Sequence, residues 1–330
     1  MKLATYKDGS RDGQLVVVSR DLRSAHYASG AATRLQQALD DWNFHAPQLE
    51  ELSQALNHEK ARNAFAFEPS RCMAPLPRAF QWASSSAFIH HVELERKARN
   101  ADMPASLHTD PLMVQRDGSD LLGPCDEIVC ASEDYGIDFE AEVAVVTGDI
   151  AMGTGADTAL EGIRLVMLAN DVSLRKLMAA EFATGFGFFQ CEPATSFSPV
   201  AVTPDELGAA WQGGRLDGDL ESVWNGKRAG LRNAGAEMTF HFGQLIAHIC
   251  KTRNVRAGSV VGSGTVSNKE ESRGFSCIAE RRAIETIEHG TPKTPFMKFG
   301  DRIRIEMKGA DGASLFGAID QRVARAGGGQ

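Results

Sequence analysis

The sequence predicts a mixed α+β fold that is predominantly β, and three observations lead to this prediction. Short segments rich in β-branched or alternating apolar residues recur along the chain, and turn dipeptides such as Asp117-Gly118 and Asn225-Gly226 separate them. Apolar residues at helical spacing are confined to a few segments. The regular alternation of strands and helices that Rossmann and TIM architectures require is not seen in the sequence.

The N-terminal part of the chain predicts a small α/β domain over residues 1–75, followed by a larger domain over residues 76–330. Pro75 and Pro77 interrupt the pattern at this boundary. Alternating residues predict a hairpin, and apolar residues three and four apart predict two helices. These elements span 2–6, 14–19, 31–42 and 47–56.

The larger domain is predicted to contain mostly strands, with two helices between them. The predicted strands span 138–150, 164–170, 200–202, 259–266 and 301–307. One helix is predicted over 173–183, with Ser173 as its N-cap and Gly185 as its stop. The second is predicted over 236–252, where Met238, Phe242, Leu245, Ile246 and Ile249 form one apolar face.

Composition excludes several classes of function. The 330 residues include 35 basic and 43 acidic side chains, a net charge of −8, whereas a nucleic-acid-binding protein normally needs a basic surface. The longest apolar run, residues 165–169, has five residues, and a membrane span needs about 20. The N-terminus turns polar by residue 7 and the six cysteines form no CxxC pair, so we expect a cytoplasmic protein with reduced thiols.

Two glutamates suggest a metal site. Glu140 and Glu142 lie two residues apart in the predicted strand, so their side chains share one face beside a valine-rich run. Burying two carboxylates together is costly unless a cation lies between them, and divalent ions such as Mg²⁺ prefer carboxylate oxygens. The alternative is a solvated strand face, which this segment alone favours.

Asp171 and His91 add to this constellation. Asp171 ends an apolar run at a strand-to-helix junction, where side chains commonly project into a site, although such a residue is also often a helix cap. His91 lies in a charged helical segment and could serve as a base near neutral pH, or could belong to an exposed helix surface. The run Gly262-Ser-Gly-Thr-Val266 would let backbone approach a ligand closely.

Four ordered motifs in the chain resemble the fumarylacetoacetate hydrolase (fumarylacetoacetase) family. They are Asp138-Phe-Glu-Ala-Glu-Val-Ala-Val145, Ala169-Asn-Asp-Val-Ser-Leu-Arg175, Ser196-Phe-Ser-Pro-Val200 and Gly262-Ser-Gly-Thr-Val-Ser267. The resemblance covers about residues 76–325, and the small N-terminal domain is similar to that of the longer members. It implies a mixed β-roll around a metal site, in a homodimer.

The resemblance also implies roles for individual residues. Glu140, Glu142 and Asp171 correspond to the ligands of a divalent metal, for which Mg²⁺ is expected first and Mn²⁺ or Ca²⁺ are also compatible. His91 corresponds to the general base, and Glu280 to the acid that orients it.

Five further positions concern the substrate. Arg175 corresponds to a residue that stabilises the carbanion leaving group, and Thr265 to a contact of the substrate carboxylate. Three substrate-contacting positions depart from the family pattern: Phe88 replaces a tyrosine, Met178 a glutamine, and Glu192 the active-site lysine. Ser84 replaces a further metal aspartate. We expect Glu192 to place repulsion where an oxyanion would bind.

These implications favour a metal-dependent hydrolase that cleaves a C–C bond in a small β-diketo acid from aromatic-compound breakdown. His91 would activate water, and the metal and Arg175 would stabilise the departing enolate. A hydratase, decarboxylase or tautomerase acting on a 2-oxo or 2-hydroxy acid is the first alternative. A degenerate, non-catalytic member of the family is the second, because Ser84, Met178 and Glu192 depart from the pattern.

Overall fold

A computed structural model describes residues 1–327, and its elements confirm the mixed, predominantly β fold. The strands β1 to β20 are, in chain order, Lys2–Tyr6, Gln14–Val18, Ser24–Tyr27, Phe65–Ala66, Trp82–Ser85, Met113–Arg116, Ile128–Cys130, Ile137–Asp138, Ala141–Thr147, Ile163–Asn170, Ser173–Leu174, Ser196–Phe197, Ala201–Val202, Trp211–Gln212, Arg215–Leu216, Asp219–Trp224, Lys227–Asn233, Val260–Gly262, Arg302–Met307 and Ile319–Arg325. The helices α1 to α7 are Leu35–Asp40, Trp42–Asn57, Ile89–Ala98, Ala156–Leu160, Arg175–Thr184, Phe242–Cys250 and Ile278–His289. None of these helices is long and apolar enough to cross a membrane.

The larger of the two main sheets contains strands from both predicted domains. Its strands follow the order β4-β3-β2-β1-β13-β10-β9-β18-β5-β6, with β12 also paired to β10. β18 and β5 run parallel, and the other neighbours run antiparallel. The predicted hairpin β1–β2 is present and enters this sheet where Leu3 pairs with Ala201 of β13. The boundary near residue 75 stays a prediction, because one sheet continues across it.

Strand β9 lies near the centre of this sheet and is buried on both faces. Val143 and Val145 belong to one apolar core, and Ala144 and Val146 to the other. The even-numbered side chains share a face with Glu142, as the period of a strand requires. The predicted alternation along this segment is therefore confirmed, and Glu142 itself is buried.

The smaller main sheet and the helices complete the core. This sheet follows the order β17-β16-β19-β20-β7. Helix α3 packs against α7, and α4 packs against α6. The contact between α3 and α7 matters for the site, because α3 carries His91 and α7 carries Glu280.

The predicted N-cap Ser173 is wrong. Ser173 lies in β11, where it pairs with Asp138 of β8, and its hydroxyl donates to Glu140 instead of capping a helix. Helix α5 therefore begins two residues later, at Arg175, and its predicted stop at Gly185 is confirmed by a left-handed backbone there.

Two further helices, α1 and α6, also begin later than their apolar patterns predict, whereas α2 begins earlier. Residues 31 and 32 form a turn onto the Ala28 carbonyl, so α1 starts only at Leu35, and the predicted helix over 47–56 lies inside α2. Helix α6 starts at Phe242, because the Gln244 side chain accepts a hydrogen bond from the His241 backbone and caps the helix there.

Gly264 allows a test of how closely its backbone packs against the backbone of Ser85. Its φ is +73°, and a Cβ there would overlap the Ser85 carbonyl oxygen, whereas Gly153 has φ +86° and open space around it. We expect Gly153→Ala to cost about 1–2 kcal/mol for its left-handed backbone alone. Gly264→Ala should cost about 1–3 kcal/mol more because the Ser85 carbonyl must move. Urea unfolding of both variants measures the difference, and equal losses would contradict this account.

Candidate active site

A cavity of about 660 Å³ brings most of the predicted site residues together. Its wall includes Ser84, Phe88, His91, Glu140, Glu142, Arg175, Met178, Glu192 and Thr265. Asp171 and Glu280 lie behind this wall, and each contacts a residue that forms it: Asp171 contacts Arg116, and Glu280 contacts His91. Segments far apart in sequence thus meet around one space.

Glu140 is held by hydroxyl groups and by a guanidinium group. Its carboxylate accepts hydrogen bonds from Ser173, at 2.5 Å, and from Thr265, and it lies 3.0 Å from Nη2 of Arg175. Burial alone would raise the pKa of Glu140, but the charges of Arg175 and Arg116 and the two hydroxyl donors lower it to about 2. Glu140 is therefore a carboxylate at neutral pH.

Glu142 has weaker support. Both of its oxygens lie 3.2 Å from the Ser84 hydroxyl, and Oε2 also accepts from the Gly264 amide at 3.1 Å. Within residues 1–327 no lysine or arginine lies within ion-pairing distance of it. Burial, and then the charges of Asp171 and Glu140, raise the pKa of Glu142 well above its usual value. Among the described residues this carboxyl group has no cationic partner.

Asp171 is paired with Arg116, a residue that the sequence analysis missed. Nε and Nη2 of Arg116 donate to Oδ2 of Asp171, the former at 2.8 Å, while Thr195 donates to Oδ1 at 2.6 Å. Nη1 of Arg116 pairs with Glu192. Arg116 ends β6, and only 6% of its side chain is exposed. No local signal marks it, because its partners lie 55 and 76 residues further along the chain.

The expected repulsion from Glu192 stays a prediction, and the Arg116 guanidinium lies beside this carboxylate. Glu192 shares the Arg116 guanidinium with Asp171, so one positive charge lies beside two carboxylates. Its side chain is only 6% exposed, so an unpaired charge there would be costly. The chain supplies a cation at this place from a different strand.

His91 and Glu280 form the predicted pair, and a third residue supports them. Nδ1 of His91 lies 3.4 Å from Oε2 of Glu280, and Nε2 lies 3.8 Å from Glu95. Oε1 of Glu280 accepts from Nη2 of Arg232 at 2.9 Å, and both of these side chains are fully buried. Arg232 is the cationic partner of Glu280 in the interior, and Glu280 orients His91.

Arg175 and Asp138 fix the helix that carries Glu280. Nε of Arg175 donates to Asp138 at 2.9 Å, and the Asp138 carboxylate accepts the backbone N–H groups of Ile278 and Ala279, at 2.6 and 2.9 Å. Asp138 thus caps the N-terminus of α7 from a distant strand. Burial is the main reason that the pKa of Asp138 rises to about 6. Asp138 begins the family-like motif of residues 138–145, but the sequence does not indicate this capping role.

The remaining predicted residues take different places in the site. Thr265 donates its hydroxyl to Glu140, so its expected contact with a substrate carboxylate stays a prediction. Phe88 is 1% exposed and packs in the core beside the cavity. Sδ of Met178 lies 3.7 Å from Nη1 of Arg175. Both line the wall, as contacts with a substrate would require.

A divalent metal fits the chemistry of this donor set but requires a rearrangement. Across residues 1–327, no three His, Cys, Asp or Glu side chains stand together as a ready ion site. In this part of the chain the buried carboxylates nevertheless outnumber the guanidinium groups beside them, and Glu142 has no cationic partner there. An excess of buried oxygen ligands with negative charge is what Mg²⁺, Mn²⁺ or Ca²⁺ requires. The ligand set Glu140, Glu142 and Asp171 stays a prediction.

The carboxylate-lined cavity with its histidine–glutamate pair is the candidate active site. The family description "Fumarylacetoacetate (FAA) hydrolase C-terminal" matches residues 81–324, and "Fumarylacetoacetase N-terminal domain 2" matches residues 1–78. The chain belongs to the fumarylacetoacetate hydrolase family.

Named relatives catalyse several reactions. The chain is 30% identical over 202 residues to 2,4-didehydro-3-deoxy-L-rhamnonate hydrolase of Sphingomonas sp. (strain SKA58), covering 60% of this chain and 67% of the relative. It is 23% identical to oxaloacetate tautomerase YisK of Bacillus subtilis (strain 168), covering 81% and 79%. The fold is similar to maleylpyruvate hydrolase from Sphingobium sp. SYK-6 in complex with manganese(II) and pyruvate, with TM-score 0.65, 15% identity and coverage of 99% and 100%.

The ionisation of His91 provides a test of the site. Burial acts to lower its pKa, but the hydrogen bond to Glu280 and the charges of Glu95 and Glu280 outweigh burial and raise it above 6.5. Protonated His91 therefore stabilises the fold fully below 6.5, and this stabilisation is lost as pH rises through the folded-state pKa. We expect Glu280→Gln to lower that pKa, as measured by NMR titration of the ring protons.

Glu93→Gln is the matched control for that titration. Glu93 lies on the same helix but approaches His90, at 3.9 Å. The control should leave the pKa of His91 unchanged. An unaltered His91 titration in a folded Glu280→Gln protein would show that Glu280 does not support this histidine.

Proposed function

We propose that the protein is a metal-dependent hydrolase that cleaves a C–C bond in a small β-diketo acid of the fumarylacetoacetate or acylpyruvate type, in the breakdown of aromatic compounds. One observation supports this proposal most: His91, which is hydrogen-bonded to Glu280, lines the same cavity as Glu140 and Glu142. Arg232 in turn donates to Glu280. A base and an excess of buried oxygen ligands then face one substrate.

His91 is the base of this proposal. When Nδ1–H donates to Glu280, Nε2 keeps its lone pair and can accept a proton from water in the cavity. Glu280 then stabilises the imidazolium that forms, while Arg232 holds Glu280 in place. The unprotonated fraction of His91 increases as pH rises through its pKa. Because that pKa is raised, this increase occurs at a higher pH than for an ordinary histidine.

The metal would be held by Glu140, Glu142 and Asp171. A divalent ion bound there would supply Lewis acidity for the two oxygens of a 1,3-dicarbonyl group. Arg175 adds positive charge on the cavity wall, beside Glu140, where it would favour an anionic substrate or leaving group. Mn²⁺, the ion named for the similarly folded maleylpyruvate hydrolase, is the first ion to test alongside Mg²⁺.

Tautomerisation of a 2-oxo acid is the second candidate. Oxaloacetate tautomerase is similar over 81% of this chain, more than the 60% covered by the rhamnonate hydrolase. The same base and carboxylates would serve a proton transfer without bond cleavage. The two reactions differ in whether the product keeps all of its carbon atoms on one chain.

A turnover assay on acylpyruvates and oxaloacetate, with products followed by NMR, tests this proposal. We expect C–C cleavage products, loss of activity in EDTA and recovery with Mn²⁺ or Mg²⁺. His91→Gln should lower kcat about 10²- to 10⁴-fold, because the general base is lost.

His90→Gln is the control, since His90 neighbours His91 on α3 and does not line the cavity. This variant should keep its turnover. Metal-independent cleavage would contradict the metal site, and enol–keto exchange without cleavage would favour the tautomerase. Equal losses in the two histidine variants would contradict the base assignment.

A further inference from the structure

Arg116 lies where the proposed reaction does not require an arginine. Its side chain is almost completely buried, and its guanidinium group spans two acids, Asp171 on one side and Glu192 on the other. Asp171 is one of the three predicted metal ligands. The cation that this carboxylate now contacts is therefore part of the protein itself.

The two oxygens of Asp171 are occupied differently. Thr195 donates to Oδ1 at 2.6 Å, and the Thr195 hydroxyl in turn accepts from the Trp82 indole at 2.9 Å. Arg116 donates to Oδ2 through Nε and Nη2. Oδ1 is therefore held by the Thr195 hydroxyl, and Oδ2 is the oxygen that Arg116 contacts.

We propose that Arg116 is an internal counter-ion that competes with the divalent metal for Asp171, and that Glu192 retains the guanidinium group when the metal binds. This inference rests on the metal site proposed above. A guanidinium group and a divalent cation on the same oxygen would repel each other in a buried site, so Arg116 on Oδ2 would weaken metal binding through that oxygen.

The geometry of arginine allows the exchange. The guanidinium group has donors on three nitrogens: Nη1 lies beside the Glu192 carboxylate, while Nε and Nη2 donate to Asp171. Moving away from Asp171 therefore leaves Arg116 with a partner. Metal affinity would depend on the difference in free energy between the metal–Asp171 pair and the Arg116–Asp171 pair. In the metal-free protein, Arg116 would keep Asp171 from being buried without a cationic partner.

The test measures Mn²⁺ affinity of the full chain by isothermal titration calorimetry. Arg116→Gln removes the competitor, and its Kd should fall at least about tenfold, equivalent to about 1.4 kcal/mol. Arg96→Gln is the control for loss of one positive charge, because Arg96 lines the cavity but donates to the Asp102 carbonyl. Its effect should be smaller. Glu192→Gln should act in the opposite direction and weaken binding, because the displaced guanidinium loses its partner.

Thermal unfolding gives a second readout that does not depend on turnover. Without metal, Arg116→Gln should melt below the wild type, because Asp171 is left unpaired, and saturating Mn²⁺ should raise its Tm more than that of the wild type. Arg116→Lys keeps the charge with fewer donors and should lie between the two, and it serves if Arg116→Gln does not fold.

The outcomes separate the two proposals. Tighter binding by Arg116→Gln together with weaker binding by Glu192→Gln supports the competition. Mn²⁺ binding that is equal in the wild type and Arg116→Gln, or weaker in Arg116→Gln, overturns this inference and leaves the metal site standing. Absence of Mn²⁺ binding in the wild type, Arg116→Gln and Arg116→Lys overturns the metal site and this inference with it.

Discussion

Five buried carboxylates around the cavity share two guanidinium groups, and this imbalance shapes the whole site. The acids are Asp138, Glu140, Glu142, Asp171 and Glu192, and the cations within ion-pairing distance of them, in the described residues, are Arg116 and Arg175. Each ion removed from water loses solvation worth several kcal/mol unless partners replace it. Hydroxyl groups of Ser84, Ser173 and Thr195 therefore donate to these acids beside the two guanidinium groups.

In this fold the strands set the spacing of the acidic side chains, and residues distant in sequence donate the hydrogen bonds that these acids need. The two-residue period of β9 places Glu142 on the cavity face, and the adjoining β10 ends beside Asp171. Asp138 then joins this region to α7 through two backbone N–H groups, which brings Glu280 under His91. The base and the acids are positioned by the same few residues, so a disturbance of one would move the other.

Sequence patterns predicted the acids and the base but not the cations that accompany them. Glu140 and Glu142 follow a local alternation and His91 stands within a helical segment, so short-range periodicity marks them as candidates, and the family resemblance then implies their roles. Arg116 and Arg232 pair with residues 48 to 76 positions away and occur in segments without a distinguishing pattern. Their role follows from tertiary packing alone. Helix starts were misplaced for a related reason, since caps such as Gln244 act through side-chain geometry that apolar periodicity does not contain.

The residues that depart from the family pattern contact charged neighbours in the site. The Ser84 hydroxyl donates to Glu142, and Glu192 is paired with Arg116. Replacing a buried ion pair with apolar residues is often neutral or stabilising, so a chain with no ligand to bind would gain by losing these acids. Glu142 makes the point most strongly, because it is 1% exposed, lies beside two other carboxylates and has no cationic partner in the described chain. Retaining such a group lowers the stability of the fold, and a bound cation is the interaction that would offset that cost.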